Sequence, residues 1–156
     1  MPRMATAAGT RHAQGGTVLA FDFGIKRIGV AIGESLLGQA RALTTIVAEA
    51  SDPRFASIGE LIRQWQPQLL VVGLPRSLDG SEHDMTARCR RFAHQLEGRF
   101  ALPVALVDER LSSAEAEARL AGRGLGWQAR KGQIDAVAAQ IILQDYFDAY
   151  AHPSAA

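Results

Sequence analysis

Residues 17–33 read TVLAFDFGIKRIGVAIG, with apolar stretches from Thr17 to Gly24 and from Ile28 to Gly33 around Gly24-Ile25-Lys26-Arg27. This spacing predicts two strands joined by a tight turn. One carboxylate, Asp22, interrupts the first strand, and an acid beside apolar neighbours is costly unless something positive meets it. Two other acids share that setting. Glu109 follows the apolar run Pro103 to Val107, and Asp135 opens the apolar helical stretch Ile134 to Leu143. If the fold joins these three ends, a divalent metal is the expected counter-charge and the chain is an enzyme acting on phosphate.

Outward from the hairpin, Arg41 to Ala48 is rich in β-branched residues and predicts a third strand, stopped at Ser51-Asp52-Pro53. Asp52 is suited to cap a helix with Pro53 at its first position. Phe55, Ile58, Leu61, Ile62 and Trp65 then recur at helical spacing until Pro67. Leu69 to Gly73 is short and uniformly apolar, as expected of a central parallel strand covered on both faces. After the loop Pro75 to Glu82, the residues Met85, Cys89, Phe92, Leu96 and Phe100 form one helical stripe. Arg88, Arg91, Gln95 and Arg99 fall on another face, most simply a solvated one. Pro103 to Val107 predicts a second central strand. Ser112 to Glu115 matches a capping box opening a short helix through Leu120. Glycines at 122, 124, 126 and 132 suggest a mobile segment bearing Trp127, Arg130 and Lys131, before a final helix from Gln133 to about Tyr150. The order βββαβαβαα predicts an α/β fold, a mixed five-stranded sheet with helices on both faces.

With 156 residues and 47% hydrophobic content, the chain suits one domain, expected over 17–150, with loose tails at 1–16 and 151–156. Seventeen basic residues against sixteen acidic ones leave a net charge of +1, so any nucleic-acid footprint must be local. Cys89, the single cysteine, cannot form an internal disulfide. No apolar run is long enough to span a bilayer and the N-terminal segment lacks the core of a secretory signal, so a cytoplasmic location is expected, without membrane association.

Hard cations such as Mg²⁺ or Mn²⁺ favour carboxylate oxygens, and a pair of them relieves the repulsion between an anionic phosphodiester and its nucleophile. Helical phase selects Asp135 over Asp145 and Asp148, because Asp135 shares a stripe with Ala138, Ala139 and Ile142. Asp145 lies about 15 Å further along the helix. Strand alternation allows only one of Asp108 and Glu109 to face Asp22 and does not say which. Taken singly, Asp22 could accept backbone N–H groups at a turn, Glu109 could pair with Arg110, and Asp135 could cap the last helix. Lys26 and Arg27 beside Asp22, Arg76 and Ser81 in the loop after a central strand, and Arg110 are candidate phosphate contacts. His83 is more simply an exposed loop residue. Trp127 could stack on a base or cover the core.

Four blocks carry a family resemblance: FDFGIKRIGVAIG from Phe21, VVGLPRSLDGSE from Val71, VDERLSSAEAE from Val107, and IDAVAAQIILQDYFD from Ile134. The chain resembles the YqgF/RuvX family, pre-16S rRNA nucleases related to Holliday-junction resolvases and built on the ribonuclease-H-like fold. The resemblance implies that Asp22, Glu109 and Asp135 form an acidic metal-binding triad, which selects Glu109 over Asp108. It further implies a cytoplasmic role in trimming the 5′ end of the small-subunit rRNA precursor. The expected protein is a divalent-metal-dependent endonuclease that binds nucleic acid as a monomer or homodimer. A resolvase of four-way DNA would use the same site, and a non-catalytic RNA- or polymerase-binding factor could keep the fold alone. An actin-like or sugar-kinase ATPase would need a second lobe that this length does not supply.

Overall fold

The hairpin at residues 17–33 forms the middle of the sheet. The computed structural model describes residues 15–76, 84–109 and 127–150, with side chains of the last segment described from Gln133 onward. Strands β1 (Thr17–Phe23), β2 (Arg27–Glu34) and β3 (Gln39–Val47) form an antiparallel meander. Helix α1 (Ser51–Trp65) crosses to β4 (Leu69–Pro75), which pairs parallel to β1. Helix α2 (Asp84–Phe100) leads to β5 (Val104–Glu109), parallel to β4, and α3 (Trp127–Tyr150) is the last described helix. The sheet order is β3-β2-β1-β4-β5. The mixed five-stranded sheet expected from the sequence is therefore present.

Alternation along each strand divides the core in two. Leu19, Phe21, Ile28, Val30, Leu70 and Val72 meet Phe55 and Ile58 of α1 and Phe92 and Leu96 of α2 on one face. Phe92 anchors this side, edge-on to Phe21 at 6.0 Å and tilted against Phe23 at 4.8 Å. On the other face Val18, Ala20, Ala31 and Val71 lie under Ala139, Ile142, Leu143 and Phe147 of α3. Each fully buried Leu, Ile or Phe contributes roughly 1.5–3 kcal/mol. The second face is built from smaller residues, so α3 lies closer to the sheet.

Several boundaries differ from the sequence reading. Helix α1 begins at Ser51 with Ala50 as its N-cap, and Asp52 contributes as a first-turn acid rather than as the cap. Pro53 fits the third position because first-turn N–H groups need no intrahelical acceptor. At the other end Gln66 takes the left-handed conformation (φ 52°) and its N–H reaches the Ile62 carbonyl at 2.8 Å, before Pro67 stops the helix. Strand β5 runs to Glu109, past the expected end at Val107. Helix α3 begins at Trp127, not Gln133, so the part of the segment read as mobile from Trp127 to Gly132 belongs to its first turns, while 122–126 lie outside the described residues. The expected helix from Ser112 to Leu120 lies outside the described residues.

Candidate active site

Asp22 is placed by strand alternation and by one glycine. Val18 and Ala20 point under α3, so Asp22, two residues further on, faces the same side. Its partner across the antiparallel pair is Gly29. A Cβ at Gly29 would stand 1.8 Å from the Asp135 carbonyl oxygen and 2.9 Å from the Ala136 nitrogen. The backbone of α3 therefore rests directly on β2 beside Asp22, a contact only glycine permits. Burial and then repulsion from Asp135 push the Asp22 carboxyl up to about 7. Among the described residues no group donates a hydrogen bond or an ion pair to it, so the simple turn-acceptor role lacks a donor.

Asp135 lies within α3, well past its first turn, and is not a cap. Its Oδ2 accepts a hydrogen bond from Arg27 Nε at 2.7 Å, with side chains 34% (Arg27) and 21% (Asp135) exposed. Arg27, read from the sequence as a phosphate contact, is here the cation beside the acid. Asp145 and Asp148 are exposed further along α3.

Glu109 and Asp108 separate as alternation requires. Ala105 and Val107 pack beneath α3, so Glu109 shares that face and is buried. Asp108 looks away and takes Arg76 Nε at 2.8 Å. Glu109 pairs with Pro75 in the parallel register, and its carbonyl accepts the Arg76 N–H at 3.2 Å. All three acids thus face the α3 side. Asp22 and Glu109 lie near the carboxyl ends of parallel strands, where open α/β sheets place ligands. Asp22 and Asp135 are the close pair. Glu109 is two strands across and two residues along, roughly 12 Å from Asp22 between backbones. Among the described residues, no three such groups converge on one ion position. The donor set nevertheless suits a hard cation: carboxylate oxygens, with that of Asp22 half-buried, without a donor among the described residues, and raised by desolvation and then by Asp135.

Lys26 has an exposed side chain at the hairpin tip, and its carbonyl accepts the Ala48 N–H at 3.2 Å. Ser81, Arg110 and His83 lie outside the described residues, as does the Trp127 side chain. One residue absent from the sequence reading holds this turn. Arg54, only 6% exposed, donates Nε to the Ala48 carbonyl at 2.6 Å and Nη2 to the carbonyls of Gly24 and Ile25. Its guanidinium lies 5.0 Å over the Phe23 ring. Burial lowers the Arg54 pKa, and Glu49 counters that. The sequence clue was an arginine immediately before the apolar stripe of a helix.

A meander of three antiparallel strands extended by two parallel ones and closed by a helix is the ribonuclease-H-like fold expected from the sequence, with the three acids carried on its first strand, its fifth strand and that helix. The Fowlpox virus resolvase, solved with its Holliday junction DNA substrate, shares this fold at a TM-score of 0.52 and 10% identity, over 85% of this chain and 97% of that one. The family model for RuvX, described as Holliday junction resolvase, matches residues 16–149, and the chain belongs to that family. A Methylobacillus flagellatus protein named "Putative pre-16S rRNA nuclease" is 62% identical over 136 residues, covering 87% of this chain and 93% of its own. A Yersinia pestis protein of the same name is 53% identical over 133 residues, covering 85% and 94%.

Proposed function

We propose that this chain is a divalent-metal-dependent endonuclease that hydrolyses phosphodiester bonds of structured RNA, with the 5′ end of the 16S rRNA precursor as its substrate. The observation that carries the reading is the meeting of Asp22 and Asp135 across Gly29, two acids in mutual repulsion with Glu109 on the same sheet face. Family membership and relatives named for rRNA processing support the substrate. In this reading Asp22, Asp135 and Glu109 hold Mg²⁺ or Mn²⁺. The cation supplies Lewis-acid polarisation of the phosphate and cancels the repulsion among the acids. Arg27 balances Asp135 before loading and offers its guanidinium to a substrate phosphate afterwards. Lys26, at the exposed tip, contacts the backbone of the same strand, and Arg76 lies at the β4 edge of the site.

Arg76, Ser81 and Arg110 complete the proposed substrate contacts. No described helix is long and apolar enough to cross a membrane. A cytoplasmic location, where the precursor is processed, fits the reading.

A second substrate is favoured by the family description: four-way DNA. Phosphate chemistry is common to both, so the substrate itself must decide. Pure protein is incubated with precursor rRNA, linear RNA and a four-way DNA junction, with and without Mn²⁺, beside Asp22→Asn. Metal-dependent cutting of the precursor, lost in Asp22→Asn, is the expected result. Preferential cutting of the junction transfers the function to DNA, and no cutting of any substrate leaves a binding factor.

A further inference from the structure

On the opposite face of the sheet lies a cleft of about 310 Å³, bounded by the hairpin turn, the start of α1 and one side of α2. Its lining includes Phe23, Ile25, Ser51, Arg54, Arg88 and Arg91. We propose that this cleft is a second phosphate-binding subsite, which grips the RNA strand beyond the β1–β2 turn while the acids act on the other side. The proposal rests on the nuclease reading above for its substrate, and on the following observations for its place.

Charge is the first. Three guanidinium groups line the cleft against one carboxylate, Glu49. Arg88 and Arg91 are exposed, as the sequence suggested of this helix face, and they line the same concave surface as Arg54. Their neighbour Arg99 is occupied differently, 4.1 Å over the Phe55 ring.

Hydrogen-bonding capacity is the second. Arg54 is more than nine-tenths buried and spends Nε and Nη2 on the carbonyls of Ala48, Gly24 and Ile25. An arginine has five N–H donors. Among the described residues the two on Nη1 have no acceptor, and a phosphate oxygen in the cleft would supply one. The first turn of α1 opens at Ser51, where Ala50 provides no side-chain cap and Pro53 has no N–H, so the N–H groups of Ser51 and Asp52 are the two that could meet an anion.

Connectivity is the third. Asp22 and Phe23 are consecutive in β1, so one faces the acid pair and the other the cleft wall. A strand lying across the hairpin end meets the acids on one side and the arginines on the other. Arg54 binds the very turn that separates them. A phosphate anchored in the cleft would then fix which neighbouring phosphate stands over Asp22.

The test uses full-length protein carrying Asp22→Asn, in EDTA, so that binding is read without cleavage. Fluorescence anisotropy with a labelled stem-loop RNA is followed from low to high NaCl. Adding Arg88→Gln and Arg91→Gln together is expected to weaken binding by about tenfold at low salt, and to reduce the salt slope by about one to two. Arg63→Gln, at an exposed arginine paired with Glu60 on the same helix, is expected to change neither. In the Asp22-containing protein with Mn²⁺, the double substitution should raise KM for RNA with kcat nearly kept. Unchanged affinity and slope in the double variant would overturn the subsite. The same null result, in a double variant that loses the stabilisation against heat that inorganic phosphate gives the parent protein, would show a small-anion site only and would overturn the RNA role. Absence of cleavage by any variant would remove the nuclease reading while leaving the metal-free binding result to decide the cleft.

Discussion

The two faces of the sheet use opposite packing strategies. Beneath α1 and α2, large side chains such as Phe21, Ile28 and Phe92 hold the layers apart, and the contacts are side chain to side chain. Beneath α3 the contacts approach backbone: Gly29 meets the Asp135 carbonyl, Gly73 faces Ile142, and Ala20, Ala31 and Ala139 complete the floor. A face packed by side chains relaxes when one changes, whereas a face packed by main chain must move as a unit. The acid pair sits on the less forgiving face. That placement suits carboxyl groups whose separation must stay fixed.

The sharpest way to break this contrast is to place one methyl on each side. Gly29→Ala should destabilise the fold by at least ~3 kcal/mol, because the clash is with helix backbone and cannot be relieved by a rotamer. Metal-dependent cutting should fall with it. On the other face Ile58→Val, at a fully buried position, should cost only about 1 kcal/mol. Urea denaturation of the two variants reads both, and equal losses would erase the distinction.

Asp22→Asn tests the electrostatic side of the same contact. Asp22 rises from 3.8 to about 7 on folding, so the folded state holds a proton between those limits that the unfolded state has released. Folding therefore takes up a proton, and wild-type stability should fall as pH rises from about 4 to 7 and flatten above it. At pH 8 the asparagine variant should be more stable by a few kcal/mol, with that slope gone. Millimolar Mg²⁺ or Mn²⁺ should stabilise the wild type at pH 8 and leave the variant unmoved. Chemical denaturation at pH 4.5 and 8 measures the sign. A wild type that gains stability across this window would contradict the desolvated, repelled acid.

Smaller effects belong to the residues that hold the hairpin. Arg54→Met leaves three backbone carbonyls without their guanidinium donor and should cost ~2 kcal/mol, with faster amide exchange around residues 24–26. Gln144 accepts from the Ala40 N–H at 3.0 Å and donates to the Gly38 carbonyl at 2.9 Å, joining α3 to the β2–β3 turn. Gln144→Ala should lose about 1 kcal/mol, read as a modest drop in melting temperature.

Much of this arrangement was legible in order alone. A turn at Gly24-Ile25-Lys26-Arg27 fixes the hairpin pairing, and the observed partners Thr17 with Glu34 and Asp22 with Gly29 follow by counting outward. Helical phase separated Asp135 from the exposed Asp145 and Asp148. What resisted reading depends on neighbours distant in the chain. Gly132 suggested a loop but lies inside α3, whose length on either side absorbs a helix-propensity cost of about 1 kcal/mol. The Arg76–Asp108 pair requires the parallel register of β4 against β5, which no local pattern encodes. Likewise Arg88 and Arg91 are exposed, as read, but their place along a cleft follows only once α1 is set beside α2. The Asp108 and Glu109 choice fell between these cases, because alternation stated the rule and only the sheet supplied the phase.

Helix α3 also bears on the order in which the chain is made. It covers the face of β1 and β2 that carries Asp22, and its bond to the hairpin joins residues 27 and 135, 108 positions apart. During synthesis the first strands therefore leave the ribosome long before their cover exists. Their glycine- and alanine-lined surface offers the growing polypeptide little to collapse upon. The two carboxylates therefore meet only once residue 135 has been made and α3 has docked, and a chain truncated before α3 would carry Asp22 with no opposing Asp135.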